Sequence, residues 1–473
     1  MVIARKRSAE AHQAIGESAG DATDVHTLLN DAMTDHFAGN ASGAEAGYRR
    51  VLERNYRPAD VLPLLAKLLS NRGDLQGSIA HWDRLLDLDP LHLSGLLEMG
   101  VLLHRLRRID EAAACFARAK AIAPGNVLVL TNLGVALADA GRRDEALAEF
   151  QQVLAIEPNN LHVQLQARRL ASLIVPFWHV PMMNDTPRND AFEKAILAAI
   201  AKHGPTARIL DIGTGGGLLS MMAARGGAKR IVTCETVPVI AETARRIVER
   251  NGYSAQIRVV GKNSQDLQIG RDLDQRADIL ISEILSCDLL GEKVLDTFED
   301  AHARLVRDGA TVIPRAAAAV GCLVASDVLA SYAFATTSSG FDVTPFNDLA
   351  PQHLPVHGTM TSWRRLSADF DIASLDLTAK TYAADLRKLA VPVLEDGEAI
   401  GIVQWMRVDL AEGVEFSNHP DHYTDGGWLQ VLHPFRRPIA VKAGTELELL
   451  LGHDRSSLIA MVAPDNSQGQ TSV

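Results

Sequence analysis

Two glutamates follow a strongly apolar segment at a spacing that could carry chemistry. The stretch DILISEILSCDLLGEKVL, residues 278–295, places Glu283 and Glu292 nine residues apart. Such a pair can bind a metal, act as acid and base on a glycoside, or hold a cation. Metal sites usually need further acidic or histidine ligands, and only Asp288 lies near. A guanidinium fits best, because two carboxylates satisfy its planar fork of donors and it stays charged without water. The alternative is a carboxylate at a helix start beside an idle surface one.

A glycine-rich turn upstream indicates a nucleoside site. The sequence DIGTGGG places Gly213, Gly215 and Gly217 at alternate positions, where the missing side chains let a ligand approach the backbone. Glu235 follows 22 residues after Gly213, at the spacing of a carboxylate that binds both ribose hydroxyls. A dinucleotide motif would need glycine or alanine at Leu218, so the pattern favours S-adenosylmethionine over NAD. The alternative is a tight turn without a ligand.

Short apolar strands alternating with helices would position these residues. RILDIG, RIVTCE, QIRVVG and DILISE are separated by helical stretches, which predicts a parallel sheet with crossover helices. Ligands bind beyond the carboxyl ends of such strands, and Glu283 ends the fourth one. The third strand leads to Asn263 and Ser264, which could bind an adenine edge or simply form a turn.

A 34-residue period organises the first third of the chain. It appears in the residues Pro90, Pro124 and Pro158, in Tyr48, Trp82, Phe116 and Phe150, and in Ala44, Ser78, Ala112 and Ala146. Each unit reads as two amphipathic helices, with a proline ending the second. The pattern resembles the tetratricopeptide repeat over residues 24–160, in four units of which the first is irregular, after a loose N-terminus of residues 1–23. Such arrays commonly bind a peptide on their concave face, although one that only caps its neighbour domain is the alternative.

Composition limits the class of protein. The chain has 473 residues, a formal net charge of −11 and 47% apolar residues, which suits two or three globular domains and argues against a general nucleic-acid binder. Its four cysteines are far apart, so neither a disulfide framework nor a zinc site is indicated, and we predict no metal. With neither a signal peptide nor a membrane span evident, we expect a soluble, cytoplasmic protein with no membrane partner.

Three segments together resemble the protein arginine methyltransferases, in particular members with N-terminal tetratricopeptide repeats. The segments are FWHVPMMNDTPRNDAFEKAI, LDIGTGGGLLSMMAARGGAKRIVTCE and SEILSCDLLGE. By that resemblance Glu283 and Glu292 form the catalytic "double-E" loop, and S-adenosylmethionine is the cofactor. The resemblance implies these cofactor-binding residues: His179, Met182, Arg188, Asp211, Gly213, Gly215, Glu235, Asn263 and Ser264. Among them Arg188 is expected to pair with the methionine carboxylate, in a helix that folds over the cofactor.

The resemblance also implies the remaining domains. Residues 161–314 would form an α/β Rossmann-like methyltransferase domain, preceded by the all-α repeat solenoid. Residues 315–473 would form a β-barrel substrate-binding domain. The segment SSGFDVTPFNDLAPQHLPV resembles the arm through which these enzymes dimerise, so a homodimer or pseudo-dimer is one option.

One motif departs from the family. Its Thr-His-Trp loop is replaced here by Gly426, Gly427 and Trp428, and glycine cannot pair with a carboxylate or relay a proton. Trp428 keeps the register and is predicted to bind substrate. Three other histidines, His419, His422 and His433, could substitute, but each reads more simply as a surface or packing residue.

These observations predict S-adenosylmethionine-dependent methylation of arginine side chains in proteins, with a protein substrate recruited by the repeats. Two alternatives remain open. One is a weak or inactive methyltransferase-fold scaffold that binds partners through its repeats, and the other is a small-molecule methyltransferase. The substrate protein and the methylation pattern of the product do not follow from the sequence.

Overall fold

The computed structural model describes residues 18–423 and 426–464, and it divides into two compact units between Ile174 and Val175. The sequence predicted this boundary at residue 160, before the last helix of the first unit. That helix belongs to the first unit because it packs against the helix before it. Of the predicted loose N-terminus, residues 1–17 lie outside the described residues, and residues 18–23 belong to the first helix instead.

The first unit consists of paired helices. They are α1 Ser18–Phe37, α2 Ala41–Glu53, α3 Pro58–Asn71, α4 Leu75–Leu88, α5 Leu93–Arg105, α6 Ile109–Ile122, α7 Val127–Asp139, α8 Arg143–Ile156 and α9 Leu161–Ile174. The aromatic residues at the 34-residue spacing are buried. A Cβ placed on Gly100 would lie 2.6 Å from Phe116 Cε1, and one on Gly134 would lie 2.5 Å from Phe150 Cε1. Glycine therefore lets the two helices of a repeat approach closely, and the predicted repeat architecture is confirmed.

The second unit begins with an α/β region. Its helices are α10 His179–Asn184, α11 Thr186–His203, α12 Leu218–Arg225, α13 Pro238–Arg250 and α14 Val294–Asp300. Its strands are β1 Arg208–Ile212, β2 Arg230–Cys234, β3 Ile257–Val260, β4 Ala277–Ser282 and β5 Val306–Ile313. The strands form one parallel sheet in the order β3-β2-β1-β4-β5. The predicted alternation of strands and helices is confirmed, and the carboxyl ends of β1, β2 and β4 meet at one edge.

An antiparallel region follows, with the helix α15 Asp327–Ala333. Its strands are β6 Ala316–Ala325, β7 Thr337–Ser338, β8 Phe341–Asp342, β9 Leu354–Val356, β10 Arg364–Arg365, β11 Phe370–Asp376, β12 Asp385–Pro392, β13 Gly397–Ala411, β14 Val414–Ser417, β15 Gln430–Val441, β16 Glu446–His453 and β17 Leu458–Val462. A seven-stranded sheet is built around β6, β13 and β15, and β12, β16 and β17 form a smaller sheet. Buried residues of the parallel sheet and of the antiparallel strands share one core.

Within the described ranges, no helix is long and apolar enough to cross a membrane. The same residues contain no group of three or more histidine, cysteine or acidic side chains placed to hold a metal ion.

Candidate active site

The turn between β1 and α12 is shaped by its glycines. Gly213, Gly215 and Gly217 all have positive φ angles, of 89°, 49° and 78°, which side-chain-bearing residues rarely adopt. Glu235, directly after β2, accepts hydrogen bonds from the Gly215 amide at 3.1 Å and from the Val237 amide at 3.0 Å. The turn and the carboxylate predicted to bind a nucleoside therefore lie together at the carboxyl edge of the sheet.

Asp211 is a buried carboxylate beneath this turn. One of its oxygens accepts hydrogen bonds from the Ser220 hydroxyl at 2.6 Å and the Thr233 hydroxyl at 3.2 Å. Its other oxygen is buried with no hydrogen-bond partner in the described chain. Burial raises the pKa of Asp211 to about 6, against the lowering effect of the two hydroxyls, and Glu235 adds repulsion. A polar ligand group at this edge would give the unpaired oxygen a partner.

Glu283 follows β4 at the same edge of the sheet. Its carboxylate forms an ion pair with the Arg188 guanidinium, and only 5% of the Glu283 side chain and 4% of the Arg188 side chain are exposed. Burial raises the pKa of Glu283 to about 7, because Arg188 offsets only part of the desolvation and Glu292 adds repulsion. The second oxygen, Oε1, is buried and lacks a hydrogen-bond partner within residues 18–423 and 426–464.

Glu292 closes the segment from 283 to 292, which we call the acidic loop. Glu292 is exposed, yet the protein atoms around its carboxylate raise its pKa, and Glu235 and Asp288 raise it further by repulsion. Glu292 also acts electrostatically on Glu283. The loop thus combines one buried carboxylate with one at the surface, and the two repel each other unless a cation lies between them.

Arg188 is held from several sides. Its guanidinium lies 5.0 Å from the ring centre of Phe192 and 5.1 Å from that of Trp428, and it donates to Asn189 Oδ1 at 2.9 Å. Stacking of a desolvated guanidinium on aromatic faces is favourable. Arg188 therefore brings α11 to Glu283, and its predicted pairing with a cofactor carboxylate stays a prediction.

The antiparallel region holds the acidic loop in place through three donors. The Trp428 indole donates to the Leu285 carbonyl at 3.0 Å, and the Gln404 amide donates to the Cys287 carbonyl at 3.0 Å. The Leu429 amide donates to the Cys287 sulfur at 3.3 Å. Trp428 is only 2% exposed, so its indole is engaged with the loop and with Arg188. Its predicted contact with substrate stays a prediction.

His433 fixes the orientation of the Gln404 amide. Both residues are buried, and His433 Nε2 lies 3.3 Å from Gln404 Oε1. Burial lowers the pKa of His433 to about 4, so the ring is neutral at pH 7. Since the Gln404 nitrogen donates to the Cys287 carbonyl, its oxygen accepts a hydrogen bond from the Nε2–H of the neutral His433 ring.

The other two histidines lie on the far side of this network. His419 stacks edge to face on Trp405 at 4.7 Å, and its Nε2 lies 3.3 Å from Asp369. His422 stacks against His419 at 5.6 Å. His419 Nε2 also lies 3.2 Å from Arg365 Nη2, and His419 Nδ1 accepts a hydrogen bond from the Asp421 amide at 3.2 Å. All of these contacts lie within the antiparallel region.

Comparisons with known proteins decide the family. The chain is 39% identical over 285 residues to an arginine N(omega)-methyltransferase of Streptomyces achromogenes subsp. streptozoticus, covering 60% of this chain and 78% of that one. The chain belongs to the protein arginine methyltransferase family. It is also 32% identical over 264 residues to protein arginine N-methyltransferase 7 of Oryza sativa subsp. indica, covering 51% of this chain and 36% of that one. It spans less than half the length of that relative and of its Drosophila ananassae counterpart, of which it covers 46%.

Family models and a solved structure match separate parts of the chain. Residues 195–314 match the ribosomal protein L11 methyltransferase model, and residues 64–127 and 103–169 match tetratricopeptide repeat models. The Trypanosoma brucei PRMT1 enzyme-prozyme heterotetrameric complex with AdoHcy superimposes with a TM-score of 0.51 at 21% identity. That likeness covers 59% of this chain and 89% of the other and shows a shared fold.

The remaining residues implied by membership of the methyltransferase family lie around the same edge. His179 begins α10, and its Nδ1 is buried without a hydrogen-bond partner in the described parts of the chain. Met182, on the same helix, packs against the backbone of Gly427. Asn263 caps a short 3-10 helix and Ser264 begins it, where Ser264 is buried. Their predicted contacts with the cofactor stay predictions.

Sequence reasoning missed Gln404 and Tyr423, and it considered His433 without its contact to Gln404. Gln404 and His433 act on the acidic loop from strands β13 and β15, far away in the sequence. Tyr423 donates a hydrogen bond to Asp185, the residue before α11. No local motif marks these residues, because each has a role only through a partner more than 25 positions away.

Proposed function

We propose that this protein transfers a methyl group from S-adenosylmethionine to a side-chain nitrogen of arginine in proteins. The observation that carries the proposal is the buried Glu283, which is held by Arg188 at the carboxyl edge of the sheet and followed in the same loop by the exposed Glu292. The two carboxylates repel each other at the carboxyl edge of the sheet, beside the glycine turn and Glu235. A planar cation with several donors suits two such carboxylates better than a metal or a single ammonium does.

The cofactor suits the groups at this edge. Gly215 has open space around the position of its missing Cβ, and Asp211 and His179 each present a buried polar atom without a partner in the described chain. Glu235 would bind the ribose, and Arg188 the carboxylate of the methionine moiety. S-adenosylmethionine supplies an electrophilic methyl group on a sulfonium. The residues of this chain would bind the cofactor and orient its methyl group.

The two glutamates prepare the guanidinium. A protonated guanidinium is a poor nucleophile, because its lone pairs are delocalised and its pKa exceeds about 12. Hydrogen bonds from two of its nitrogens to Glu283 and Glu292 draw positive charge toward the carboxylates. They also fix the plane of the guanidinium, and with it the direction of the third nitrogen. We infer that Glu283 Oε1, which is buried and has no hydrogen-bond partner among the residues described, accepts one of these bonds. Orientation and electrostatics therefore carry most of the catalysis.

The loss of the loop histidine keeps the alternative of a weak or inactive scaffold open. One further candidate, methylation of free arginine, differs from the proposed function only in the size of the substrate, since the Streptomyces relative is named for arginine and the rice relative for protein arginine. The buried ion pair of Glu283 with Arg188 favours an active site, because an idle pair of buried charges is expensive to maintain.

The decisive experiment offers several acceptors to the full-length protein with isotopically labelled S-adenosylmethionine. A glycine- and arginine-rich peptide, the same peptide with lysine for arginine, and free arginine are each incubated and read by mass spectrometry. We expect label on the arginine peptide and none on the lysine peptide. Label on free arginine alone would replace the protein substrate by a small molecule, and no label on any acceptor would favour the scaffold.

The repeats and the antiparallel region have proposed roles around the methyltransferase site. We infer that the repeats recruit the protein substrate and that the antiparallel sheets close into a β-barrel. Residues 338–356 would serve as a dimerisation arm, which is supported by the large exposed fractions of Phe341 (72%), Phe346 (66%) and Leu349 (76%). A cytoplasmic location is proposed with them. Size-exclusion chromatography with light scattering would test the arm, by comparing the wild type with a Phe346→Ser variant.

A further inference from the structure

The two glycines that replace the family's Thr-His pair are both in close contact with other groups. A Cβ on Gly427 would lie 2.7 Å from Met182 Cα and 2.9 Å from Met182 N, closer than real Cβ atoms approach a backbone. A Cβ on Gly426 would overlap the hydroxyl of Tyr423. Helix α10 and the Tyr423 side chain therefore occupy the space in which larger side chains at positions 426 and 427 would begin.

The Tyr423 hydroxyl that uses this space reaches Asp185. It donates to Asp185 Oδ2, and the Gly427 amide lies 3.4 Å from the same oxygen. Asp185 also caps α11 by accepting a hydrogen bond from the Arg188 amide at 3.2 Å. This buried carboxylate thus joins the end of α10, the first turn of α11 and the segment that carries Trp428.

We propose that Tyr423 is a positioning residue for methyl transfer, and that Gly426 and Gly427 are present to admit it and Met182. The inference rests on the proposed function. In this protein the loop gives up the histidine, and the contacts of Tyr423 with Asp185 and of Gly427 with Met182 hold α10 and α11 against the site instead. We call these two contacts the latch.

The latch acts on the site through Arg188. That residue lies one turn into α11 from Asp185, and its guanidinium contacts Glu283 and stacks on Trp428. If α11 moves away, Arg188 no longer lies where it balances the buried charge of Glu283. The expected defect is therefore in the arrangement of the site, while the sheet and its core remain.

Two substitutions test the latch in the full-length protein. Tyr423→Phe keeps the ring, which packs edge to face on Phe416 at 5.4 Å, and removes only the hydroxyl. Loss of a hydrogen bond to a charged group should lower kcat/KM about 10- to 100-fold, when the rate is normalised to the concentration of protein that binds the cofactor. Gly427→His restores the residue typical of the family, and we expect it to lower activity at least as much as Gly427→Ala. The control is Gly125→Ala, at a glycine of the repeats with nothing within 4 Å of the added Cβ.

The outcomes separate the latch from the proposed function. Higher activity in Gly427→His would overturn the latch and identify the missing histidine as a defect. An unchanged kcat/KM in Tyr423→Phe, normalised in the same way, would also overturn the latch. If the wild type methylates no acceptor, hydrogen exchange of residues 179–190 still decides. Faster exchange in Tyr423→Phe than in Gly125→Ala supports the latch, and equal exchange rejects it.

Discussion

Replacing Glu292 by glutamine removes the charge at the mouth of the site while keeping the shape and volume of the side chain. Glu292 is exposed, and its carboxylate is not part of the ion pair that connects Glu283 to Arg188. The substitution should therefore act on the arginine substrate and leave cofactor binding alone. Glu283→Gln is the contrasting variant, because it also removes the partner of a buried arginine.

The magnitude follows from the exposure of each carboxylate. Two unit charges about 4 Å apart interact by roughly 4 kcal/mol at an effective dielectric constant of about 20 and by roughly 1 kcal/mol in water. The exposed Glu292 lies between these limits, so about 2 kcal/mol or a ~30-fold loss in kcat/KM is expected. The buried Glu283 makes charge-assisted hydrogen bonds in a drier place, so its loss should reach about 2–4 kcal/mol, or ~30- to 1,000-fold.

The assay measures kcat/KM for an arginine peptide together with cofactor affinity by calorimetry. Glu249→Gln, which neutralises an exposed glutamate on α13, is the matched control and should match the wild type in both. Glu292→Gln should show unchanged cofactor affinity. Glu283→Gln should also weaken cofactor binding, because the Arg188 guanidinium loses the ion pair that holds it in position.

A near-normal rate in both glutamine variants would refute the guanidinium clamp. The pair would then be a carboxylate at a strand end that balances Arg188, with an idle neighbour at the surface. Equal losses of cofactor affinity in both variants would instead show that Glu292 belongs to the cofactor site.

Other perturbations test the parts of the site separately. Glu235→Ala should weaken cofactor binding severalfold or more, because the ribose loses its acceptor, and unchanged affinity in calorimetry would remove Glu235 from the site. Gln404→Leu should raise KM for the peptide about 10-fold with cofactor affinity unchanged, since the acidic loop loses a buried donor worth about 1–3 kcal/mol; an unchanged KM would contradict this role. The raised pKa of Asp211 adds stability that is full below its ordinary value of 3.8 and is lost as the pH rises through about 6. Between pH 5 and pH 8 the free energy of unfolding of the wild type should therefore fall by about 1–2 kcal/mol relative to Asp211→Asn, and a constant difference in denaturant titrations would contradict the assignment. Deletion of the first unit, residues 1–174, should lower activity on a native protein substrate more than on a short peptide. Equal losses on both substrates would indicate a capping role for the repeats.

Local pattern was enough to predict the repeats and the sheet. Side chains recurring every 34 residues pack within one helix pair, and strand ends of a parallel sheet share one edge wherever the strands lie in the sequence. That rule brought Glu283 to the glycine turn without knowledge of the strand order. The end of the first unit was harder to predict, because Pro176, which follows α9, does not continue the 34-residue period and α9 packs as an unpaired helix on α8.

The supporting contacts could not be predicted in the same way. Tyr423 and Asp185 are 238 residues apart, and Gln404 and Cys287 are 117 apart. No periodicity connects such residues, and tyrosine or glutamine in a sheet protein has many ordinary roles. Arg188 was expected at the cofactor, and its ion pair with Glu283 depends on how α11 crosses the sheet, which only the three-dimensional structure shows.

The attachment of the acidic loop has a consequence for protein engineering. The loop belongs by sequence to the α/β region, but the donors that fix Leu285 and Cys287 come from β13 and from residues 428 and 429. Exchanging the antiparallel region for that of a relative would therefore also replace the donors that hold the loop between the two carboxylates. A chimera should retain turnover only if the donated region brings its own equivalents of Gln404, Trp428 and Leu429, so recombination breakpoints between β5 and β6 should be poorly tolerated.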